Sequence, residues 1–207
     1  MTEQTTENKI EQFKLFDMYD VASIEIKDPA MRHYICLTPK LLLKNQGRQT
    51  DKLRSTKVNV VERLALRLAV PGHMGKEHKI ITSWSSGNYT KNMNTVLKTL
   101  KIIQDKTGSN PVQVLVQAIE KASPRDEITV IESGGARYPQ AVDTSPLRRV
   151  NLAIRWFVQG AFRKAHGKKT KMADALANEI MLASKENMES FAYSRKNEAE
   201  RQADGAR

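Results

Sequence analysis

His33 and Cys36 stand three residues apart, a spacing that could place two ligands on one metal ion. A structural zinc site needs four such ligands. The chain supplies one cysteine, and its other histidines, His73, His78 and His166, are scattered. Surface roles are therefore the preferred reading, and no metal is expected. Ser133 could serve as a nucleophile but lacks the strand-turn-helix sequence of a nucleophile elbow. Glu132 and Asp143 could be an acid–base pair, yet charges on a hairpin are usually solvated. Gly134 and Gly135 match neither a phosphate loop nor a dinucleotide fingerprint, because the required spacing is absent. The chain is expected to be no enzyme and to use no cofactor.

The chemistry that does stand out is anion binding by guanidinium. No acidic residue occurs between Asp143 and Asp174, whereas Arg148, Arg149, Arg155, Arg163, Lys164, Lys168, Lys169 and Lys171 all do. At about 100° per residue the four arginines fall within an arc of about 120° on a helix. Val150, Ile154, Phe157, Val158 and Ala161 fill a separate arc. Such a helix docks by one face and offers planar donor forks from another, a geometry suited to phosphate oxygens. Acidic residues are also absent between Glu77 and Asp105, where Lys91, Lys98 and Lys101 share one helical face. The stretch from Lys40 to Lys57 adds Lys44, Arg48, Lys52, Arg54 and Lys57 against Asp51 alone. Three basic segments imply a polyanion that wraps the protein, and irregular RNA fits better than a regular duplex. Tyr138, Trp84 and Trp156 are candidate stacking residues, with Trp156 expected to be partly core.

These residues need elements to hold them. Met1 to Gln12 is polar and reads as a frayed tail. Short extended runs are expected at Ala22 to Ile26 and Tyr34 to Leu37, and Asn45 to Lys57 reads as a loop that a partner orders. From Val58 the apolar period becomes helical and ends at PGHMG, from Pro71 to Gly75. Helices follow from about Tyr89 to Lys106, closed by Gly108, and from Pro111 to about Ala122. A hairpin is expected over about 127–142, its tip the glycine pair of ESGGARYPQAV. Thr144-Ser145-Pro146 then opens a helix with a capping hydroxyl and a first-turn proline, running to about Ala165. Two more helices are expected near Thr170 to Lys185 and Ser190 to Ala203. The fold class is therefore mainly α, a helical bundle with one protruding β-hairpin and an irregular, partly extended N-terminal segment. The expected division is 1–57, a tail and basic extension, and 58–207, the helical domain.

Composition agrees with a partner of opposite charge. The chain has 207 residues, a formal charge of +11 and a mean hydropathy of -0.54. Such a charge attracts nucleic acid, an anionic membrane face or acidic proteins. No run approaches the roughly 20 apolar residues of a spanning helix, and the polar opening MTEQTTENKIEQ has no signal-peptide core. With a single cysteine the expected location is cytoplasmic.

The stretch GGARYPQAVDTSPLRRVNLAIRW resembles the signature of the small-subunit ribosomal protein seven family. VNVVERLALRL from Val58, TGSNPVQVLVQAIEKASPRDE from Thr107, ALANEIMLAS from Ala175 and FAYSRKNEAER from Phe191 extend the likeness in order. DPAMRHYICLTPKLLLKNQGR from Asp28 is similar to the archaeal and eukaryotic branch, most like the archaeal side. The resemblance implies a helical bundle seated in the head of the small subunit. It implies binding to the 3′ major (head) domain of small-subunit rRNA and nucleation of head assembly. Its hairpin, here Gly134, Gly135, Arg137, Tyr138 and Gln140, would reach the exit-site tRNA and the mRNA path. Head and platform proteins would be neighbours. Arg148 and Arg149 match the family's paired arginines after proline, and Lys168, Lys169 and Lys171 match a basic turn less tightly.

Two other classes compete. A free-standing regulator could bind RNA or DNA by the same basic surface. An interaction adaptor could use the C-terminal helices, where Glu186, Glu189, Glu198 and Glu200 interrupt the basic character.

Overall fold

The computed structural model describes residues 14–39, 54–74 and 79–207. The frayed-tail expectation, most of the basic loop including Lys44 and Arg48, and His78 lie outside the described residues.

Local signals set the helix boundaries. Helix α1, Val60–Ala69, begins where the Asn59 side chain accepts a bond from Val61 N. Helix α2, Tyr89–Thr107, is capped by Asn88 on Lys91 N and ends at Gly108, whose φ of 66° is the left-handed conformation that glycine adopts without strain. Helix α3, Pro111–Ala122, has Asn110 as its cap and proline in its first turn, where the missing N–H costs nothing. Helices α4, Pro146–Ala165, α5, Met172–Ser184, and α6, Phe191–Asp204, complete the bundle. Ser145 occupies the cap position of α4, but its hydroxyl makes no capping bond, so that expected hydroxyl cap is not formed.

The core is organised about α5, which packs against α2, α3, α4 and α6. Its buried Ala175, Ala177 and Ala183 let neighbours approach closely, while Leu176 and Ile180 fill the remaining volume. The segment ahead of α1 joins this core through Leu15, Tyr19, Met31 and Ile35. It lies along α3: Gln113 and Glu25 exchange two bonds, of 2.9 and 3.1 Å, and Glu120 accepts from Asp28 N at 3.0 Å. The segment ahead of α1 thus shares one core with the helices. The extended runs expected there form no strand. Their one ladder contact is an isolated bridge between Cys36 and Asn59, and Arg54–Lys57 is a short 3-10 turn instead of open loop.

Strands β1, His73–Met74, and β2, Lys79–Ile80, make a minor ladder where only a helix stop was expected. Strands β3, Asp126–Ser133, and β4, Ala136–Asp143, form the long hairpin in register from Asp126 opposite Asp143 to Ser133 opposite Ala136. Two residues remain for the turn. Gly134 and Gly135 both take positive φ, 60° and 80°, as a two-residue turn matched to strand twist requires. Among the described residues the hairpin is tied at its base: Glu200 of α6 accepts from Arg125 N, Arg207 pairs with Asp126, and Arg148 of α4 pairs with Glu127. Beyond that base β4 is exposed along almost its whole length.

Candidate nucleic-acid interface

Helix α4 carries the expected basic face and also divides it. Val150, Ala153, Ile154, Phe157, Val158 and Ala161 are buried against the bundle, as the apolar arc requires. Arg148 is exposed and pairs with Glu127 at the root of the hairpin. Arg149, expected beside it on the RNA-facing surface, turns inward. Its side chain is only 10% exposed, its Nη2 lies 3.0 Å from Asp28 Oδ2, and it also reaches Ser123 Oγ. Arg149 sits at the edge of the 120° arc, and the segment ahead of α1 covers that edge. A single helical wheel cannot reveal such a cover.

Further along α4, Arg155 is half-buried and donates to His73 O. Arg163 is exposed, with its guanidinium 5.6 Å above the Phe191 ring. Lys164 is drawn back into the fold, donating at 2.8 Å to the fully buried Glu179. The chain then turns at Gly167, φ 69°, and presents Lys168, Lys169 and Lys171 to solvent. Lys57 is exposed at the end of the 3-10 turn, where Arg54 also lies. On α2, Lys91, Lys98 and Lys101 are all exposed. Thr99 Oγ1 donates to Ala173 O at the start of α5, and Lys106 Nζ donates to Asn178 Oδ1 further along both helices, so α2 and α5 run side by side in the same direction.

Two aromatic expectations resolve differently. Trp156 is half-buried against the core. Trp84, which no sequence pattern placed, lies flat on the His166 imidazole with ring centroids 4.0 Å apart and planes 2° from parallel. His166 remains exposed in that stack. The hairpin tip holds Tyr138, 58% exposed, and an exposed cross-strand pair of Arg137 with Glu132 at 3.8 Å. Gln140 stands opposite Thr129 in the same ladder.

Sequence reasoning missed the arginines of α1. Arg63 is buried and donates to Tyr34 O at 2.7 Å and to Asn151 Oδ1 at 2.8 Å. Burial pushes its guanidinium down to about 10, still charged at neutral pH. Arg67 is half-buried on the same helix. Both look like ordinary helix cations in a sequence, and only the packing of α1 against its neighbours separates them from a solvated face. His33 is exposed and Cys36 donates to Thr38 Oγ1. No helix is long and apolar enough to cross a membrane among the described residues.

The family described as "Ribosomal protein S7p/S5e" matches residues 31–207. The chain is 43% identical over 197 residues to the "Small ribosomal subunit protein uS7" of Nanoarchaeum equitans, covering 95% of this chain and 100% of that protein. It is 40% identical over 199 residues to the protein of the same name from Methanococcus maripaludis strain C6, covering 95% and 100%. For the Archaeoglobus fulgidus counterpart the figures are 39% over 198 residues, 95% and 96%. With a family match that spans all six helices and the hairpin, and archaeal relatives aligned nearly end to end, the chain belongs to the S7p/S5e family of small-subunit ribosomal proteins.

Proposed function

We propose that the protein binds the 3′ major (head) domain of small-subunit rRNA, nucleates folding of the head, and holds its hairpin near the exit-site tRNA and the mRNA path. Its place of work is the cytoplasm, among neighbouring head and platform proteins. The observation that carries this reading is the exposed basic surface running from Arg148 at the hairpin root, past Arg163, to Lys168, Lys169 and Lys171, with no acid in the intervening sequence. Arg155, Lys44, Arg48, Arg54 and Lys57 belong to the same proposed rRNA-binding set, while Arg149 supports it from inside. The pair between Arg148 and Glu127 does not preclude phosphate binding. The Arg148 side chain is 61% exposed while that of Glu127 is 20% exposed, so most of the arginine faces solvent, where a phosphate can reach it.

The mechanism is charge neutralisation: each contacted phosphate releases counterions, and affinity falls with salt in proportion to the number of contacts. Binding of the purified protein to a transcript of the 3′ major domain, against an unrelated structured RNA of equal length and across a salt series, tests it. Selective binding that survives near-physiological salt is expected. Equal binding to both RNAs, lost together as salt rises, would leave a non-specific polyanion binder. Tight binding to a short discrete site outside rRNA would favour a free-standing regulator.

A further inference from the structure

Arg67 of α1 and Arg155 of α4 converge on one glycine. A β-carbon built on Gly72 would lie 3.6 Å from Arg67 Nη2 and 3.9 Å from Arg155 Nη2. Gly72 has φ 89°, so the position favours glycine on backbone grounds as well. The surrounding loop has its own polar groups occupied. Gly72 N donates to Thr82 Oγ1, and Gly72 O accepts from Ile81 N. Gln159 donates towards Pro71 O and His73 O, and Arg155 also uses His73 O. This bonding ties the 71–73 segment to α4 and to residues 81–82, and leaves the arginines with far fewer partners than donors.

Among the described residues neither guanidinium has a carboxylate partner. Arg67 Nε is buried with no hydrogen-bond partner at all. Burial, and secondarily the charge of Arg155, push the Arg67 guanidinium down, the direction expected of two cations held together without a counter-charge. Like charges at close quarters and an orphaned donor both oppose folding. A phosphodiester monoanion offsets the repulsion, because it accepts from two planar forks at once.

We propose that Arg67 and Arg155, brought together over Gly72, form a dedicated site for one backbone phosphate of RNA. This rests on the RNA-binding reading above and adds to it a buried contact that no single-helix pattern contains. The site differs in kind from Lys168, Lys169 and Lys171, which are solvent-exposed point charges on a turn. Here the donors are fixed by two packed helices before RNA arrives, so little ordering remains to be done on binding.

The test is the pair of variants Arg67→Met and Arg155→Met, measured for thermal stability of the free protein and for binding to the 3′ major domain transcript and to the unrelated RNA across a salt series. A site built for an absent anion predicts that Arg67→Met melts at or above the wild-type temperature, because repulsion and an orphaned donor are removed. It also predicts RNA binding weaker by about tenfold or more, with the salt slope reduced by about one. Arg155→Met should show the same RNA loss. Wild-type affinity and slope in both variants would overturn the site. So would a loss of stability in both, which would make the arginines structural. Should wild-type protein bind the two RNAs equally while the variants weaken both, the phosphate site stands and the head-domain reading falls.

Discussion

Asp28, in the segment ahead of α1, holds Arg149 of α4 at 3.0 Å, and the two side chains are largely withdrawn from water. The contact joins the irregular N-terminal segment to the bundle, and it converts one of two adjacent arginines from a surface cation into a strut. Removing one partner of a buried pair strands the other, at about 3–5 kcal/mol for full burial. Asp28 retains some exposure, so Asp28→Ala should lower stability by about 2 kcal/mol. Denaturant unfolding measures it. The salt slope of RNA binding should be unchanged, because no phosphate contact is lost. A reduced slope would return Arg149 to the RNA-binding surface.

Gly160 fixes how closely α6 can lie on α4. A β-carbon there would come within 2.8 Å of Phe191 Cβ and 3.0 Å of Glu179 Cδ. Neither neighbour is the loose end of a flexible chain. Phe191 opens α6, and Glu179, fully buried, accepts from Ser190 Oγ at 2.7 Å, Ala192 N at 3.0 Å and Lys164 Nζ at 2.8 Å. Gly160→Ala should therefore cost about 1–3 kcal/mol through overpacking, despite the better helix propensity of alanine. A thermal midpoint equal to or above wild type would show that α6 can slide aside without breaking the Glu179 bonds.

Glu62 gives the protein a pH dependence of known sign. Burial raises its carboxyl above the usual range, partly offset by the bond donated from Tyr89 OH at 3.2 Å. A carboxyl with a raised folded pKa keeps its proton to higher pH in the folded chain than in the unfolded one. Stability is therefore lost as pH rises from the unfolded value towards the folded one, and the loss persists at higher pH. Glu62→Gln keeps an oxygen for Tyr89 and removes the charge. Its melting temperature should exceed wild type at about pH 7, with no such gain at about pH 3, where Glu62 is protonated in both states. An equal difference at both values would assign the effect to packing.

Much of the fold was legible because it is written locally. Asn88 and Gly108 bound α2, Asn110 and Pro111 open α3, Pro146 opens α4, and paired glycines turn the hairpin, each within a few residues of the feature it determines. The candidate site was legible only to that range. Arg148 and Lys168 to Lys171 stand where charge pattern placed them, whereas the partners of Arg149, Arg67 and Trp84 come from distant parts of the chain. Whether an arginine faces RNA or a carboxylate depends on which segment crosses its helix, and periodicity carries no information about that crossing. The extended runs before α1 failed as strands for a related reason: backbone groups of Glu25, Tyr34 and Cys36 are satisfied by Gln113, Arg63 and Val60 N, which a propensity for extension does not identify.

The hairpin should separate its two tasks cleanly. Its base is tied to α4 and α6 through Glu127 with Arg148, Asp126 with Arg207, and Arg125 N with Glu200, while Arg137 and Tyr138 stand exposed near the tip. The Arg137 pair with Glu132 is exposed on both sides, and such a surface pair changes stability little when broken. Arg137→Ala should therefore leave the melting temperature and the affinity for the 3′ major domain transcript unchanged. Any effect should appear only after assembly, as altered retention of exit-site tRNA or altered mRNA placement in reconstituted subunits. Arg148→Ala should do the reverse, lowering transcript affinity and the salt slope by about one phosphate contact. A variant at Arg137 that weakens transcript binding as much as one at Arg148 would mean that the hairpin itself lies on rRNA and that tip and base are not separate surfaces.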